Sequence, residues 1–317
     1  MRPLTPDDVQ RHAEMLANRV RKNHRRLAKR FERASIGAFR LYDRDIPEVR
    51  AVVDWYEGHL VIAEYERAQT SRVDNYVQTL GAAAASALGI PDERVFAKAR
   101  RTGRERGYGS RPSAGVIEVR ERELRFKVRL GDYLDTGLFG DHRETRRMVG
   151  ERAAGKTVLN LFAYTGAFTC WAAHGGARRT VSVDARPRYV EWTRENLELN
   201  RLDGPNHVLH TADVANFLQR DRERYDLIVV DPPSRSTRYG RGDFDVVRDH
   251  PALLRSLARR LAPGGEMIFS TNHQRFTPRF DGLPFASVEE MTERTVPEDY
   301  RNRTAHRCFW FEPAEDR

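Results

Sequence analysis

Cysteine is scarce in this chain, and long apolar stretches are missing. The 317 residues include two cysteines, Cys170 and Cys308, which lie too far apart for a metal-binding or redox spacing. We therefore expect no metal site and a reducing, cytoplasmic environment. The longest apolar stretch, residues 81–90, is short and rich in small side chains, and no leader-peptide pattern is present. A membrane partner is not expected.

Acidic residues are outnumbered by basic ones, most of which are arginine. Lysine and arginine total 55 against 46 acidic residues, which gives a formal net charge of +9. Such an excess suits a polyanionic partner such as RNA. Because overall charge is a weak signal, the clustering of the basic residues is more informative.

Two basic clusters stand out along the chain. Residues 19–33 contain eight lysines and arginines beside an apolar stripe at helical spacing, so we predict a helix whose basic face either follows an RNA backbone or is simply solvated. Residues 98–111 mix basic residues with glycine and show no periodicity, which predicts a loop that either binds RNA or is a surface loop without function. The predicted RNA-binding residues are Arg100, Arg101, Arg104, Arg106, Tyr108 and Arg111, with Arg235 and Arg238 further along the chain.

The segment from residue 158 to residue 184 indicates one half of an open α/β sheet. An apolar strand, residues 158–161, is followed by a turn that ends at Gly166 and by a predicted helix over residues 167–173. A second strand ends at Asp184, about twenty residues after the turn, where a carboxylate can bind ribose hydroxyls. Asp213 follows a third element, beside the expected adenine pocket. Each acid alone is more simply a helix cap or strand-end residue, but the series predicts a nucleoside site.

The single glycine of the first turn discriminates between nucleoside cofactors. A pyrophosphate requires close backbone approach, usually through three glycines, whereas residues 162–168 contain one glycine among bulky aromatic residues. A nicotinamide dinucleotide would fit poorly there. S-adenosylmethionine carries no phosphate, and aromatic walls suit its sulfonium cation. We therefore predict S-adenosylmethionine as the cofactor of a methyltransferase.

The predicted reactive segment is Asp231-Pro232-Pro233-Ser234, which follows an apolar strand over residues 227–230. The two prolines fix the backbone and remove two hydrogen-bond donors, so the strand cannot continue and Asp231 is held at its end. There the carboxylate could bind a planar base and place one ring atom in line with a methyl donor. The simpler alternative is a strand followed by a proline turn. We predict that all four residues belong to the catalytic site.

The length of the chain suits two domains. Residues 1–131 predict a basic helix and a small α+β module with three short strands, a helix over residues 74–88 and three further strands. We expect this module to bind and position RNA. Residues 132–317 hold both motifs and form the predicted catalytic α/β domain.

With these motifs in order, the sequence resembles the bacterial 23S rRNA guanine-N7 methyltransferases, the C-terminal half of the bifunctional RlmKL proteins. The resemblance runs from about residue 15 to residue 311 and includes the segments 40–43, 132–143, 160–166, 195–200 and 231–233. It implies a Rossmann-like, seven-stranded class I methyltransferase domain that uses S-adenosylmethionine. The implied substrate is a guanosine of 23S rRNA, either free or in a large-subunit assembly intermediate.

The resemblance also implies roles for individual residues. Residues 135–143 would close over the methionine end of the donor, Asp184 would bind ribose, and Asp213 would lie beside adenine. Asp231 would face the base, and His142 has either a site role or a structural hydrogen bond. The predicted cofactor-binding residues are Thr136, Phe139, Asp141, Arg143, Asn160, Phe162, Tyr164, Thr165, Gly166, Asp184, Ala185, Asp213 and Asp231.

Three features depart from the family pattern. The guanine-N2 methyltransferase half is absent, so we expect the N-terminal module to help find RNA. Ser234-Arg235 stands where the family has Thr-Phe, and residues 271–275 replace an Asn-Asn-Lys-Arg-Gly segment. Because the last two changes flank the expected base, they leave the target nucleotide and position open.

The chemistry of each target atom separates the remaining possibilities. Methylation of a pyrimidine C5 requires a cysteine nucleophile, and neither cysteine lies at an expected position. Methylation of an amino group usually uses an aromatic residue where this chain has Ser234. Guanine N7 has an in-plane lone pair, so alignment and a nearby charge such as that of Asp231 suffice. A cytosine-C5 rRNA methyltransferase and a non-catalytic RNA-binding ribosome-assembly factor remain as alternatives.

Overall fold

A computed structural model of the protein describes residues 4–65, 67–100, 115–131, 135–240 and 242–313. The chain divides into two compact units, Met1–Gly140 with Glu298–Arg301, and Asp141–Pro297 with Asn302–Arg317. The boundary predicted between residues 131 and 132 lies earlier than this division.

Two hydrogen bonds and a cation–π contact explain why the first unit extends past residue 131 and includes residues 298–301. The backbone N–H of Arg129 donates to the carbonyl of Thr136 at 2.8 Å, which ties the following loop to this unit. Asp299 accepts a hydrogen bond from the backbone N–H of Arg40 at 2.8 Å, and the guanidinium of Arg40 lies 4.3 Å from the ring centroid of Tyr300. The contacts of Arg40 with Asp299 and Tyr300 join residues that are distant in sequence, so local patterns do not reveal them.

The first unit is the small α+β module. Its elements are α1 (Pro6–Arg33), β1 (Ala38–Asp43), β2 (Ala51–Tyr56), β3 (His59–Tyr65), α2 (Tyr76–Leu88), β4 (Val95–Arg100), β5 (Val116–Glu121) and β6 (Leu124–Arg129). Strands β1 to β3 form an antiparallel meander, and β4 adds parallel to β3 through the crossover helix α2. Strands β5 and β6 form a separate hairpin.

Helix α1 is amphipathic, as its sequence predicts. Thr5 caps its first turn in a capping box with Asp8, and Pro6 occupies the first helical position. The apolar stripe from Ala13 to Phe31 is buried in the core of the unit. The basic side chains therefore lie on the opposite side of the helix.

The second unit is built on a seven-stranded sheet. Its elements are α3 (Arg143–Arg152), β7 (Thr157–Leu161), α4 (Ala167–His174), β8 (Arg179–Asp184), α5 (Pro187–Leu199), β9 (His207–Thr211), α6 (Val214–Arg220), β10 (Tyr225–Val230), β11 (Arg235–Tyr239), β12 (Gly242–Asp245), α7 (Val246–Ala258), β13 (Leu261–Thr271), β14 (Phe285–Glu290), α8 (Thr292–Thr295) and β15 (Arg307–Pro313). The strand order is β14-β15-β13-β10-β7-β8-β9. This arrangement confirms the predicted Rossmann-like, seven-stranded domain.

The topology of this sheet places the ligand-binding edge. Strands β9, β8, β7, β10 and β13 are parallel, β15 pairs antiparallel with β13, and β14 pairs antiparallel with β15, so β15 alone runs opposite to the other six strands of this sheet. The chain runs outward from β7 through β8 to β9, then returns to form β10 on the other side of β7. This reversal is a topological switch point, and ligands bind outside the carboxyl ends of the strands at such points. Within the described ranges, none of the helices combines the length and apolar character that a bilayer crossing requires.

Candidate active site

The first loop of the site is a strained turn between β7 and α4. Phe162, Tyr164 and Gly166 all have positive φ angles, of 56°, 51° and 74° respectively. A Cβ atom at Gly166 would lie 2.2 Å from Cγ2 of Thr193, so glycine is required there both by conformation and by space. The hydroxyl of Thr193 donates to the carbonyl of Tyr164 at 3.1 Å and fixes the turn. Strain of this kind is typical of ligand-binding loops.

Hydrogen bonds between buried polar groups stabilise this turn. Asn160, which is 2% exposed, donates from Nδ2 to the hydroxyl of Thr169 at 2.9 Å, and that hydroxyl is 2.6 Å from the hydroxyl of Ser182. Asn196 donates from Nδ2 to the carbonyl of Thr165 at 2.9 Å. The predicted cofactor residues Asn160 and Thr165 are thus both buried parts of the turn's support. No local sequence pattern indicates a site role for Thr169, Ser182 or Asn196, because each is a polar residue within a helix or strand.

Asp184 lies at the end of β8, beside the turn. Its Oδ2 accepts the backbone N–H of Tyr164 at 3.0 Å, and its Oδ1 accepts that of Arg186 at 2.9 Å. Burial raises the pKa of Asp184, and the two hydrogen bonds oppose this effect. Each carboxylate oxygen keeps a lone pair for a further donor such as a ribose hydroxyl. Ala185, the next residue, is partly exposed.

Asp213 caps helix α6 and also offers a spare acceptor. Its Oδ1 accepts the backbone N–H groups of Asn216 at 3.0 Å and of Gly240 at 2.8 Å. Its Oδ2 is buried and has no hydrogen-bond partner among the residues that the structure describes. A buried carboxylate oxygen needs a donor. An adenine amino group is one donor that would satisfy it.

Asp231 follows β10 and is held in a defined orientation. Its Oδ1 accepts a hydrogen bond from the hydroxyl of Ser270 at 2.7 Å, and its Oδ2 is 3.5 Å from Nε2 of His142. The side chain is 27% exposed, so it is accessible from one side. Burial raises the pKa of Asp231 to about 6; the negative charge of Asp141 adds to this rise, and the Ser270 hydrogen bond opposes it.

A stacked pair of histidines lies behind Asp231. The rings of His142 and His306 have centroids 4.0 Å apart and an interplanar angle of 15°. Nδ1 of His306 lies 3.3 Å from the carboxylate of Asp141, and Nε2 lies 2.9 Å from the hydroxyl of Thr295. Burial lowers the pKa of both histidines. The sequence predicts His142 near the site, but no local pattern indicates His306, which immediately precedes β15.

Ligand atoms of Asp141, His142 and His306 lie within 4.8 Å of one another, a grouping that sequence analysis did not foresee. A metal ion binds in the plane of each imidazole at about 2.0–2.1 Å from nitrogen. Two parallel rings stacked 4.0 Å apart cannot both satisfy that geometry. In the observed arrangement His306 is hydrogen-bonded to Asp141, and His142 stacks on His306 next to Asp231.

The segments predicted to flank the target base are adjacent. Pro232 is buried, Pro233 is exposed, and the hydroxyl of Ser234 donates to Oδ1 of Asn272 at 2.8 Å. Ser234-Arg235 and residues 271–275, the two segments that depart from the family pattern, therefore meet next to Asp231.

Three other residues that were predicted to bind the methyl donor lie elsewhere in the structure. Arg143 is the first residue of α3 and is 2% exposed. Thr136 and Phe139 belong to the first unit, where the hydroxyl of Thr136 is 2.9 Å from that of Tyr56 and the side chain of Phe139 is 39% exposed.

The predicted RNA-binding residues are only partly described. Arg235 has an 84% exposed side chain that pairs with Asp245 at 3.1 Å. The side chains of Arg100 and Arg238 lie outside the described part of the structure, as do residues Arg101, Arg104, Arg106, Tyr108 and Arg111. The prediction of a loop from residue 98 was wrong at its start, because residues 98–100 continue β4 and pair with β3.

Comparison with known proteins identifies the family. A family model described as S-adenosylmethionine-dependent methyltransferase matches residues 36–297. The chain belongs to this methyltransferase family. It is 41% identical over 320 residues to the ribosomal RNA large subunit methyltransferase K/L of Allochromatium vinosum, covering 97% of this chain but 44% of that protein. The chain thus spans less than half the length of this relative.

Solved structures agree with the assignment to the methyltransferase family. The candidate methyltransferase SMU.776, solved in complex with SAH, matches with a TM-score of 0.78 and 26% identity over 96% of this chain and 81% of that one. A further candidate methyltransferase, from Streptococcus mutans, shares the fold with a TM-score of 0.77 at 24% identity, over 95% and 81% of the two chains. This methyltransferase uses S-adenosylmethionine as its cofactor, as the single-glycine turn predicts.

Proposed function

We propose that this methyltransferase modifies N7 of a guanosine in 23S rRNA, either in free RNA or in a large-subunit assembly intermediate. The name of the Allochromatium vinosum relative supports a large-subunit rRNA substrate. Such a substrate places the enzyme in the cytoplasm. The observation that carries the choice of N7 is the oriented carboxylate of Asp231, partly exposed at a strand end.

Two carboxylates and one turn of the second unit fit S-adenosylmethionine. Asp184 offers acceptors for the ribose hydroxyls, and the unpaired Oδ2 of Asp213 offers one for the adenine amino group. The strained turn that ends at Gly166 lets the backbone approach the methionine portion closely. When bound, the cofactor supplies an electrophilic methyl group.

Asp231 acts by position and charge in the proposed reaction. The hydrogen bond from Ser270 fixes the carboxylate, so little reorganisation is needed during methyl transfer. The lone pair of guanine N7 would form the new bond to the methyl carbon while the bond from that carbon to the sulfonium sulfur breaks and the neutral thioether leaves. N7 has no proton to lose, so the guanine ring gains the positive charge that the sulfur gives up. With its pKa raised to about 6, Asp231 is ionised at neutral pH and stabilises that charge.

The positions of the two cysteines argue against covalent catalysis at a pyrimidine C5. Cys170 and Cys308 are both at most 1% exposed. Burial raises the pKa of both thiols, that of Cys308 to about 12, so neither supplies a thiolate nucleophile at neutral pH. Incubation with RNA that contains 5-fluorocytidine should therefore give no covalent complex, whereas a trapped complex would favour the cytosine-C5 alternative.

Substitution of Asp231 tests the proposed mechanism. Asp231→Asn keeps the shape and can still accept the Ser270 hydrogen bond but removes the charge, so we expect methyl transfer to rRNA to fall about 100-fold or more. Binding of S-adenosylmethionine, measured by calorimetry, should change little. A matched control, Asp243→Asn, removes an exposed carboxylate from β12 and should leave transfer unchanged. Equal activity of Asp231→Asn and the control would remove Asp231 from the mechanism.

A further inference from the structure

The basic face of α1 carries an ordered row of exposed cations. The helix repeats every 3.6 residues, so side chains three, four, seven and eleven positions apart lie on one side. The cations that share this spacing, all exposed, are Lys22, Arg25, Arg26, Lys29 and Arg33. We refer to these five residues as the α1 stripe. It spans about 16 Å along the helix at 1.5 Å per residue.

The five cations of the stripe have no carboxylate partner among the residues that the structure describes. By contrast, Arg11 pairs with Asp8 at 3.2 Å, and Arg19 and Arg30 form ion pairs with Asp45 and Glu298. The guanidinium of Arg21 donates to the carbonyl of Ala87 at 3.3 Å and to Oδ1 of Asn18 at 2.9 Å. The other cations of α1 thus have partners within the protein, which leaves the stripe available to a ligand.

Helix stability does not account for the stripe. Cations favour a helix C-terminus because of the helix dipole, but this effect is confined to about the last turn and covers only Arg33 and its neighbours. Lys22, Arg25 and Arg26 lie further from the end of the helix. Like charges three and four residues apart repel and destabilise a helix. The stripe is thus a local electrostatic cost that an anionic partner would offset.

We propose that the α1 stripe binds the phosphate backbone of the RNA substrate. This inference rests on the proposed function, because it assigns a docking surface for the same RNA. A nucleic acid presents several phosphates over about 16 Å, which matches a row of cations spaced by single helical turns. An anionic membrane fits less well, since membrane-surface helices insert an apolar face, and the apolar face of α1 is buried in the unit's own core.

Two triple variants of α1 test the stripe. The test variant is Lys22→Gln/Arg26→Gln/Lys29→Gln, and the control is Arg11→Gln/Arg19→Gln/Arg30→Gln, which removes the same charge from paired cations. Glutamine has nearly the same helix propensity as lysine and arginine, so both proteins should stay helical, which circular dichroism can check. Binding to a transcribed 23S rRNA fragment is measured by fluorescence anisotropy over a salt series, without cofactor. Phosphate contacts make the logarithm of affinity fall linearly with the logarithm of salt concentration.

We expect the test variant to lose about two units of the salt-dependence slope and about tenfold or more in affinity at low salt. The control should lose less than about half as much slope. An unchanged slope in the test variant, or an equal loss in both variants, would overturn the proposal. Loss of binding to phosphatidylserine vesicles with an unchanged RNA slope would also overturn it, in favour of a membrane.

Methyl transfer distinguishes failure of the stripe from failure of the proposed function. At saturating RNA the test variant should keep the wild-type kcat and show a raised KM, because the stripe positions RNA and contacts no reacting atom. If the wild-type protein transfers no methyl group to rRNA, the proposed function fails, while the binding slopes still decide whether the stripe contacts RNA phosphates.

Discussion

At the scale of single residues, the proposed reaction depends on the charge state of Asp231. Its carboxylate is accessible at one side, hydrogen-bonded by Ser270, and has a pKa raised to about 6. A raised pKa means that burial disfavours the ionised form of Asp231, which is the form that we propose stabilises the developing cation. The protein therefore maintains a charge at this position at some cost to its stability.

The first prediction at this scale is a pH dependence. Methyl transfer at saturating substrates should rise as pH increases through about 6 and level off above it, because the ionised carboxylate is the active form. Ser270→Ala removes the hydrogen bond that lowers the pKa, so the midpoint should move to higher pH. Rate profiles from pH 5 to 8 measure both effects. A wild-type profile that is flat across this range would contradict the assignment.

The same pKa shift predicts a gain of stability in Asp231→Asn. The folded-state pKa lies above the unfolded value near 3.8, so the folded protein binds more protons than the unfolded chain between these values, and stability falls as pH rises through this window. At pH 7.5 the neutral amide avoids this cost, so we expect a gain of about 1–3 kcal/mol in urea unfolding. At pH 3 the two proteins should be nearly equally stable. A gain that does not depend on pH would point to a different cause.

At the scale of elements, we propose that Asp213 both caps α6 and binds the adenine of the cofactor. Its Oδ1 caps the helix, while its Oδ2 is the spare acceptor. In Asp213→Asn the amide oxygen can keep the cap, since asparagine caps helices as well as aspartate, but the amide nitrogen cannot accept a hydrogen bond. We expect stability within about 0.5 kcal/mol of wild type and about a tenfold loss of S-adenosylmethionine affinity by calorimetry.

Two further variants separate the capping role of Asp213 from its proposed role in cofactor binding. Asp213→Ala should lose about 1 kcal/mol of stability in addition to cofactor affinity, because the cap is removed. Asp245→Asn, at the equivalent capping position of α7, should leave cofactor affinity unchanged. If Asp213→Asn binds the cofactor as tightly as wild type, Asp213 is a helix cap alone.

Elements with strong local patterns could be predicted from the sequence. Strands β7 and β10 are mostly apolar, and their apolar side chains are buried in the sheet. The turn before Gly166 and the prolines after Asp231 restrict the backbone locally, so their positions follow from the residues themselves. Asp184 could be placed because its distance from the turn is characteristic of nucleoside-binding folds.

Other parts of the site depend on contacts between distant segments. Ser270 and His306 reach the neighbourhood of Asp231 because β13 and β15 pair beside β10, and neither residue belongs to a recognisable local pattern. The extension of β4 to Arg100 is likewise determined by pairing with β3, against a sequence with no strand periodicity. Tertiary pairing overrides local propensity in such cases.

At the scale of the whole molecule, the proposed residues of methyl transfer and the proposed RNA-binding cations lie in different units. The second unit holds the strand ends with Asp184, Asp213 and Asp231, and the first carries the α1 stripe. The net charge of +9 is consistent with a polyanionic substrate, for which association slows as salt rises. We propose that the first unit contributes RNA affinity and the second contributes methyl transfer.

Identification of the methylated nucleoside tests the central claim most directly. The purified protein is incubated with labelled S-adenosylmethionine and ribosomal RNA from a strain that lacks this gene, and the digested RNA is analysed by mass spectrometry. Asp231→Asn serves as the control. The account predicts labelled 7-methylguanosine in 23S rRNA with the wild-type protein and almost none with the variant. A different methylated nucleoside, such as 5-methylcytidine, would contradict it.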